Sequence, residues 1–267
     1  MVVVTVESAN KLVKKMKPID KAINYLKTIN KVDTSDVYLS KEKIFRALMN
    51  ITMPTSLTDD YYLNQDLVLQ EYYSKEKVID VNDLNYTNNI AIYKGDITLI
   101  KADAIVNACN CELLGCFHPL HNCIDNAIHS FAGLQMRRDL ITIMKDKEYE
   151  QNGKCEVTKG YNLPSNYVFH TVGPIVNGSV KEQDVIDLTS CYLSCLKKAK
   201  EMNLKSIVFC SIATGIYSFP IALASEIAIT TVNNYLQENN IDIKVIFNVL
   251  SESDYKVYEQ TFNRIIK

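Results

Sequence analysis

Apolar positions along the chain change their spacing near residue 89. Before that point they recur every three and four residues over 19–29 and 40–50, which is the spacing of one helical face. Pro54 then opens a polar, tyrosine-rich stretch that runs to Tyr86. Residues 1–88 therefore read as a mainly helical extension, packed on the rest of the chain and carrying few motifs of its own. From residue 89 short apolar runs alternate with longer amphipathic ones. Strands are predicted at 90–100 (with a turn), 104–106, 155–161, 167–172, 206–211 and 244–250. Helices are predicted at 125–145, 184–202, 220–238 and 253–266, the last capped by Ser251 or Ser253. This alternation predicts an α/β domain over 89–267, with a mostly parallel sheet covered on both faces. Such sheets bind ligands at the carboxyl ends of their strands, here the loops after Val106 and Ser211.

Composition narrows the partners. Hydrophobic residues make up 47% of the 267 and charged residues 22%, as in ordinary soluble domains. Lys and Arg total 29 against 31 Asp and Glu, so no basic excess favours nucleic acid or a membrane surface, and neither is expected as a partner. An anionic ligand must then be held by backbone amides and helix N-termini. Residues 1–6 are apolar but short, with no basic residue before them, and do not read as a secretory signal. The uncharged run 207–224 approaches the length of a membrane span. Ser211, Thr214, Gly215, Ser218 and Pro220 interrupt it, and it reads as buried strand, loop and helix start. Eight cysteines without an export signal point to free thiols in a reducing compartment, the cytoplasm. Cys191 and Cys195, four apart on a helix, and Cys155 and Cys210, in apolar strands, read as core residues.

Four clusters carry candidate chemistry. In Gly115-Cys116-Phe117-His118-Pro119-Leu120-His121-Asn122-Cys123, the spacing Cys-x4-His-x-Cys gathers two thiols and an imidazole. Three such donors suit zinc and leave a fourth position for water or substrate, whereas a structural site normally takes four protein ligands. His118, Cys109 and Cys111 are candidates for a fourth, and a group of buried thiols with a surface histidine is the plainer alternative. The second cluster runs from Ser211 through Thr214, Gly215, Ile216, Tyr217 and Phe219 to Pro220, from strand through a one-glycine loop into a helix. Loop amides beside a helix start bind phosphate without Lys or Arg, although an ordinary connection looks the same. No Gly-Lys-Ser/Thr element makes it a Walker loop. Third, Asp96 in Lys94-Gly95-Asp96-Ile97-Thr98 either caps its own turn or accepts from an exocyclic amine such as that of adenine. Fourth, Asn107 and Asn110 directly follow the strand at 104–106 and read as binders of sugar hydroxyls or as turn formers. Asp125, at a helix start, is an N-cap, an early-turn acid or a catalytic base near the cysteines. His129 reads as structural.

In this order the clusters resemble the macrodomain family, whose members bind ADP-ribose, from about residue 89 to the C-terminus. Gly95-Asp96-Ile97 resembles the family's adenine-binding acid, and Asn107-Ala108-Cys109-Asn110 its element near the distal ribose. Asp125-Asn126-Ala127-Ile128-His129 with Ala132-Gly133 is similar to the helix after its first ligand loop, and residues 214–220 to its diphosphate loop. Most hydrolytic members carry a glycine run before that helix. Residues 114–123 replace it here and resemble the zinc-dependent branch, which also has a helical N-terminal extension.

The resemblance implies a three-layer fold with a mixed, mostly parallel sheet, and Zn as cofactor on Cys116, His121 and Cys123. It implies ADP-ribose contacts at Asp96, Ile97, Asn107, Asn110, Ser211, Thr214, Gly215, Ile216, Tyr217 and Phe219, with catalytic roles for Asp125 and Asn110. The implied activity is release of mono-ADP-ribose from modified protein by a cytoplasmic monomer, reversing the work of a sirtuin-type ADP-ribosyl transferase. Two thiolates neutralise much of the charge of zinc, which favours substrate positioning and polarisation over free hydroxide. The rivals are a non-catalytic ADP-ribose-binding module with a structural zinc, and an interaction protein that recruits partners through its extension.

Overall fold

The structure, a computed structural model, describes residues 16–267; the apolar start at 1–6 lies outside them. Three helices come first: α1 (Pro18–Asn30), α2 (Lys41–Ile51) and α3 (Asp59–Tyr73). α1 opens on Pro18, whose missing N–H is no loss in a first turn, and stops at Lys31 in the left-handed conformation. Ser40 and Thr58 cap the other two by accepting from the amides of Lys43 and Tyr61. The tyrosine-rich stretch is more regular than its polar pattern suggests. α3 buries Tyr61, Tyr62 and Leu69 in one cluster with Leu26, Phe45, Leu48 and Met49, which Leu134 joins from the sheet domain.

The helical segment ends in a two-residue strand, β1 (Ile79–Asp80), and the sheet domain comprises β2 (Ile90–Lys94), β3 (Ile100–Lys101), β4 (Ala104–Cys109), α4 (Ile124–Ala132), α5 (Leu134–Ile143), β5 (Cys155–Lys159), β6 (Tyr167–Val172), α6 (Glu182–Glu201), β7 (Ser206–Phe209), α7 (Ile221–Asn239), β8 (Lys244–Val249) and α8 (Glu252–Ile266). Six strands form one sheet in the order β2-β8-β7-β4-β6-β5. All neighbours are parallel except the antiparallel edge pair β5-β6. Ile105 at its centre pairs with Val168 on one side and Val208 on the other. β1 and β3 form a separate parallel pair. Side chains on both faces of β4, β7 and β8 are buried, which requires helices over both faces. α4 packs on β4, α5 on β5, α6 on β5 and β6, and α8 on β2. The expected α/β architecture with a mixed, mostly parallel sheet is present.

Two expectations change, and one alternative is resolved. β4 continues to Cys109, so Asn107 lies inside the strand, paired in register with His170, rather than after it. The single helix expected over 125–145 is two, because Gly133 takes φ +99° and breaks it. Ser251 is the cap of α8, accepting from the amide of Asp254 at 3.0 Å. The run 207–224 is strand, loop and helix start, and among the described residues no helix is long and apolar enough to cross a membrane. Every cysteine is a free thiol.

Candidate active site

Five parallel strands point their carboxyl ends to one edge of the sheet, where the loops leaving them enclose a cleft of about 660 Å³. The turn after β2 brings Asp96 and Ile97 to it, the loop after β4 brings Asn110, 115–118 and 121–123, and the loop after β7 brings Ser211 and 213–217.

Asp96 caps its own turn and leaves one carboxylate oxygen at the cleft. Its Oδ1 accepts from the Thr98 amide at 2.8 Å and the Thr98 hydroxyl at 2.7 Å, capping a short turn. Among the described residues its Oδ2 has no hydrogen-bond donor, and the residue lines the cleft.

The loop after β7 is tied at its base and open at its crest. Thr214 Oγ1 donates to Ser211 O at 3.0 Å, and the Phe219 amide donates to Ala213 O at 3.0 Å. At Gly215 a β-carbon would meet nothing within 4 Å, so this backbone faces open space where a ligand can approach closely. Ser211, Thr214, Gly215, Ile216 and Tyr217 line the cleft. Phe219 does not: its ring is buried in the core and anchors the loop from behind.

Asp125 sits in the first turn of α4, but the cap of that helix is Cys123, whose Sγ accepts from the Asn126 amide at 3.4 Å. Asp125 is thus an early-turn acid, 5% exposed, at the wall of the cleft. Its Oδ1 accepts from Asn107 Nδ2 at 2.8 Å. Burial pushes its carboxyl up to about 6, against the pull of Asn107 and Arg137. His129 Nε2 lies 3.4 Å from the same oxygen but off the line of a hydrogen bond, and has no other partner among the described residues. Asn107, expected at the ligand, is fully buried behind the wall and holds Asp125 instead, with His170 Nδ1 3.3 Å from the same amide nitrogen. Asn110 does line the cleft while shaping its own loop, accepting from the Glu112 amide at 3.1 Å and donating to Gly115 O at 3.3 Å.

Cys116, His121 and Cys123 converge, their ligand atoms all within 4.8 Å of one another. Cys116 Sγ and His121 Nδ1 are 3.4 Å apart. Zinc bonds of about 2.3 Å to sulfur and 2.05 Å to nitrogen, set tetrahedrally, give an edge of about 3.6 Å, so the trio fits that ion. Burial pushes the Cys123 thiol up to about 12, and neighbouring Cys116 adds to the rise. A bound cation reverses that balance by favouring thiolate. Among the described residues no fourth donor completes the set. The ring of His118 is centred 5.8 Å from that of His121, Cys109 Sγ is buried against Thr171 O, and Cys111 is exposed.

Sequence reading missed Arg46, the single Lys or Arg that lines the cleft among the described residues. It comes from α2, donates through Nη2 and Nε to Asn126 Oδ1 at 2.8 and 3.3 Å, and lies 5.7 Å from the Phe131 ring centroid. On the helix it is one polar position among several, and no local signal points to a partner 80 residues away. Phe131, Gly173, Asn248 and Asp254 also line the cleft without having been singled out.

A mixed, mostly parallel sheet with an acid turn and an amide-rich loop around one cleft is the arrangement expected of a macrodomain, and residues 106–228 match the Macro domain family. A protein-ADP-ribose hydrolase of Staphylococcus aureus (strain MRSA252) is 42% identical over 228 residues, covering 83% of this chain and 85% of the relative. The Trypanosoma brucei macrodomain in complex with ADP-ribose superposes with a TM-score of 0.63 at 30% identity, over 78% of this chain and 91% of that one. The Oceanobacillus iheyensis macrodomain with ADP gives 0.61 at 35% identity, over 68% of this chain and 95% of that one. The chain belongs to the macrodomain family, among its protein-ADP-ribose hydrolases.

Proposed function

We propose that the chain is a zinc-dependent hydrolase that removes mono-ADP-ribose from modified protein side chains. The observation that carries this reading is the meeting, in one cleft, of the Cys116-His121-Cys123 trio with Asp96 and the open loop at Gly215. Relatives named protein-ADP-ribose hydrolase, and macrodomains solved with ADP or ADP-ribose, support the ligand.

In this reading the adenine amine donates to Asp96 Oδ2, the amides of 213–217 hold the diphosphate, and Asn110 orients the distal ribose. The bond that breaks joins the anomeric carbon of that ribose to the protein side chain. Water supplies a hydroxyl to the carbon and a proton to the departing side chain. Zinc on Cys116, His121 and Cys123 would supply Lewis acidity at an oxygen of ribose or water. Asp125, fixed by Asn107, positions the attacking water and accepts its proton. A sirtuin-type transferase as the source of the modification is part of the proposal. It rests on the likeness of 114–123 and of the helical segment to the zinc-dependent branch.

The test measures zinc content together with release of ADP-ribose from a mono-ADP-ribosylated protein, with and without chelator. Chelation and Cys123→Ala are expected to lower release at least about 100-fold, the equivalent of several kcal/mol of transition-state stabilisation. Asp125→Ala is expected to lower release while leaving zinc bound. Full activity in metal-free Cys123→Ala protein would overturn the zinc reading. Tight retention of ADP-ribose without turnover would favour a binding module.

A further inference from the structure

The loop that carries the metal trio is held in shape from outside the sheet domain. His118 O accepts from the His121 amide at 3.2 Å, closing a turn with Pro119 second and Leu120 third. Leu120 has φ +57°, in a position where such turns normally place Gly or Asn because other side chains avoid the left-handed region. The strained residue directly precedes the ligand His121. Its amide donates to Asn50 Oδ1 at 2.9 Å, and Asn50 is 1% exposed on the last turn of α2. Asn50 Nδ2 also donates, at 2.9 Å, to Ser130 Oγ on α4, the helix capped by the ligand Cys123. One buried amide thus joins the backbone before one ligand to the helix that starts on another. Arg46 makes a parallel link: it holds Asn126 Oδ1, and Asn126 Nδ2 donates to His118 O at 3.0 Å.

We propose that α2 is the template of the metal loop, and that Asn50 is a positioning residue for His121, holding Leu120 in the left-handed conformation that aims the imidazole at the two sulfurs. The inference rests on the zinc reading above. Removing the Asn50 acceptor frees the turn to relax, and the third donor leaves the trio. Residues that orient metal ligands typically change affinity by about 10–100-fold when replaced.

The experiment measures zinc affinity by competition with a chromophoric chelator, and the visible spectrum of the cobalt-substituted protein. It compares full-length wild type with Asn50→Leu, Asn50→Asp, Asn50→Leu/Leu120→Gly and Val232→Ala. Val232 is fully buried in α7 and serves as a stability control. Asn50→Leu is expected to weaken zinc about 10–100-fold and to diminish the tetrahedral cobalt bands. Asn50→Asp, which keeps the acceptor, is expected to recover most of the affinity. Glycine at 120 takes positive φ without strain, so the double variant is expected to bind more tightly than Asn50→Leu alone. If Asn50→Leu does not fold, Asn50→Asp and the double variant against wild type carry the comparison. Wild-type affinity in Asn50→Leu, an equal loss in Val232→Ala, or no gain from Leu120→Gly overturns the proposal. Failure of wild type to bind zinc overturns the metal reading itself, and the wild-type measurement alone shows it.

Discussion

Arg137→Met removes the one buried cation that, among the described residues, joins the helical segment to the loop after β4. The guanidinium is 1% exposed, and its Nε donates to Leu114 O at 2.7 Å. Its Nη1 donates to Met49 O at 2.9 Å and Thr52 O at 2.6 Å, carbonyls at the end of α2. Its carbon lies 4.6 Å from the Phe117 ring centroid. Burial pulls its pKa down to about 10, so it is still charged at neutral pH, solvated by carbonyl oxygens and a ring. Methionine fills much of the volume but strands the carbonyls of Leu114 and Thr52, at about 1–3 kcal/mol each, and takes one of two donors from Met49 O, which keeps the Thr52 amide. Against that, the cost of burying a charge disappears, which leaves a net loss of about 3–5 kcal/mol. Urea unfolding monitored by circular dichroism and tyrosine fluorescence reads the change. At about 3 kcal/mol per molar urea the midpoint is expected to fall by more than about 1 M. The two probes are expected to separate as the α1–α3 cluster loses its tie to the sheet domain. A fall below about 0.3 M, with the probes still coincident, would refute the reasoning.

Gly115 takes φ +89°, and a β-carbon there would sit 2.9 Å from the His129 ring, so Gly115→Ala is expected to lower the melting temperature by about 5–10 °C; a shift under about 2 °C counts against it. His170 is fully buried and accepts from Asn107 on Nδ1, which leaves its other nitrogen to donate to Thr158 Oγ1 at 2.9 Å, and burial holds its pKa down at about 3. The unfolded chain therefore binds a proton that the folded chain refuses between an ordinary value of about 6.5 and about 3. Its share of stability is complete above pH 6.5 and falls by about 1.4 kcal/mol per pH unit below it. Wild type is expected to lose about 2 kcal/mol more than His170→Gln between pH 6.5 and 5, and equal losses refute this. Arg46→Gln is expected to weaken ADP-ribose binding roughly fivefold to tenfold at low salt and less at high salt, by calorimetry; unchanged low-salt affinity contradicts it. Limited trypsin digestion is expected to cut after the exposed Lys31, at the start of the loop between α1 and α2, and to leave 32–267 together. Early release of everything before residue 89 would show a detachable extension.

What the sequence made legible was local. The strands of the sheet and the helices after them arise from runs of a few residues, and the ends of β6 match the structure because apolar and polar positions change sharply there. Cys116, His121 and Cys123 lie within eight residues, so their spacing alone brought them to notice. What failed was non-local. Asn107 was placed in a loop because nothing at that position shows that β6 continues to pair beyond it. Phe219 was assigned to the ligand because a loop pattern cannot say which of its side chains turns inward. Arg46, Asn50 and Arg137 act across 70 to 88 residues of chain, and no pattern within either segment reveals such a partner.

These long-range contacts bear on why the helical segment and this particular loop occur together. A run of glycines adopts left-handed turns at no steric cost and needs no outside support. The loop after β4 instead holds Leu113 at φ +59° and Leu120 at φ +57°, conformations that persist only where neighbours enforce them. Leu113 is enforced by full burial in the core, and Leu120 by Asn50 from α2. The same segment reaches the other end of the cleft, where Tyr73 of α3 donates to Thr98 O at 3.1 Å in the turn capped by Asp96, and Tyr72 stacks on Phe131 with centroids 4.7 Å apart. β1 adds a parallel pairing of Ile79 with Ile100 just beyond that turn. A loop built from Cys, His and Leu where glycine would turn freely loses conformational freedom, and the helices before the sheet supply the restraint that replaces it. The segment before the sheet is therefore part of the site's construction at both ends of the cleft.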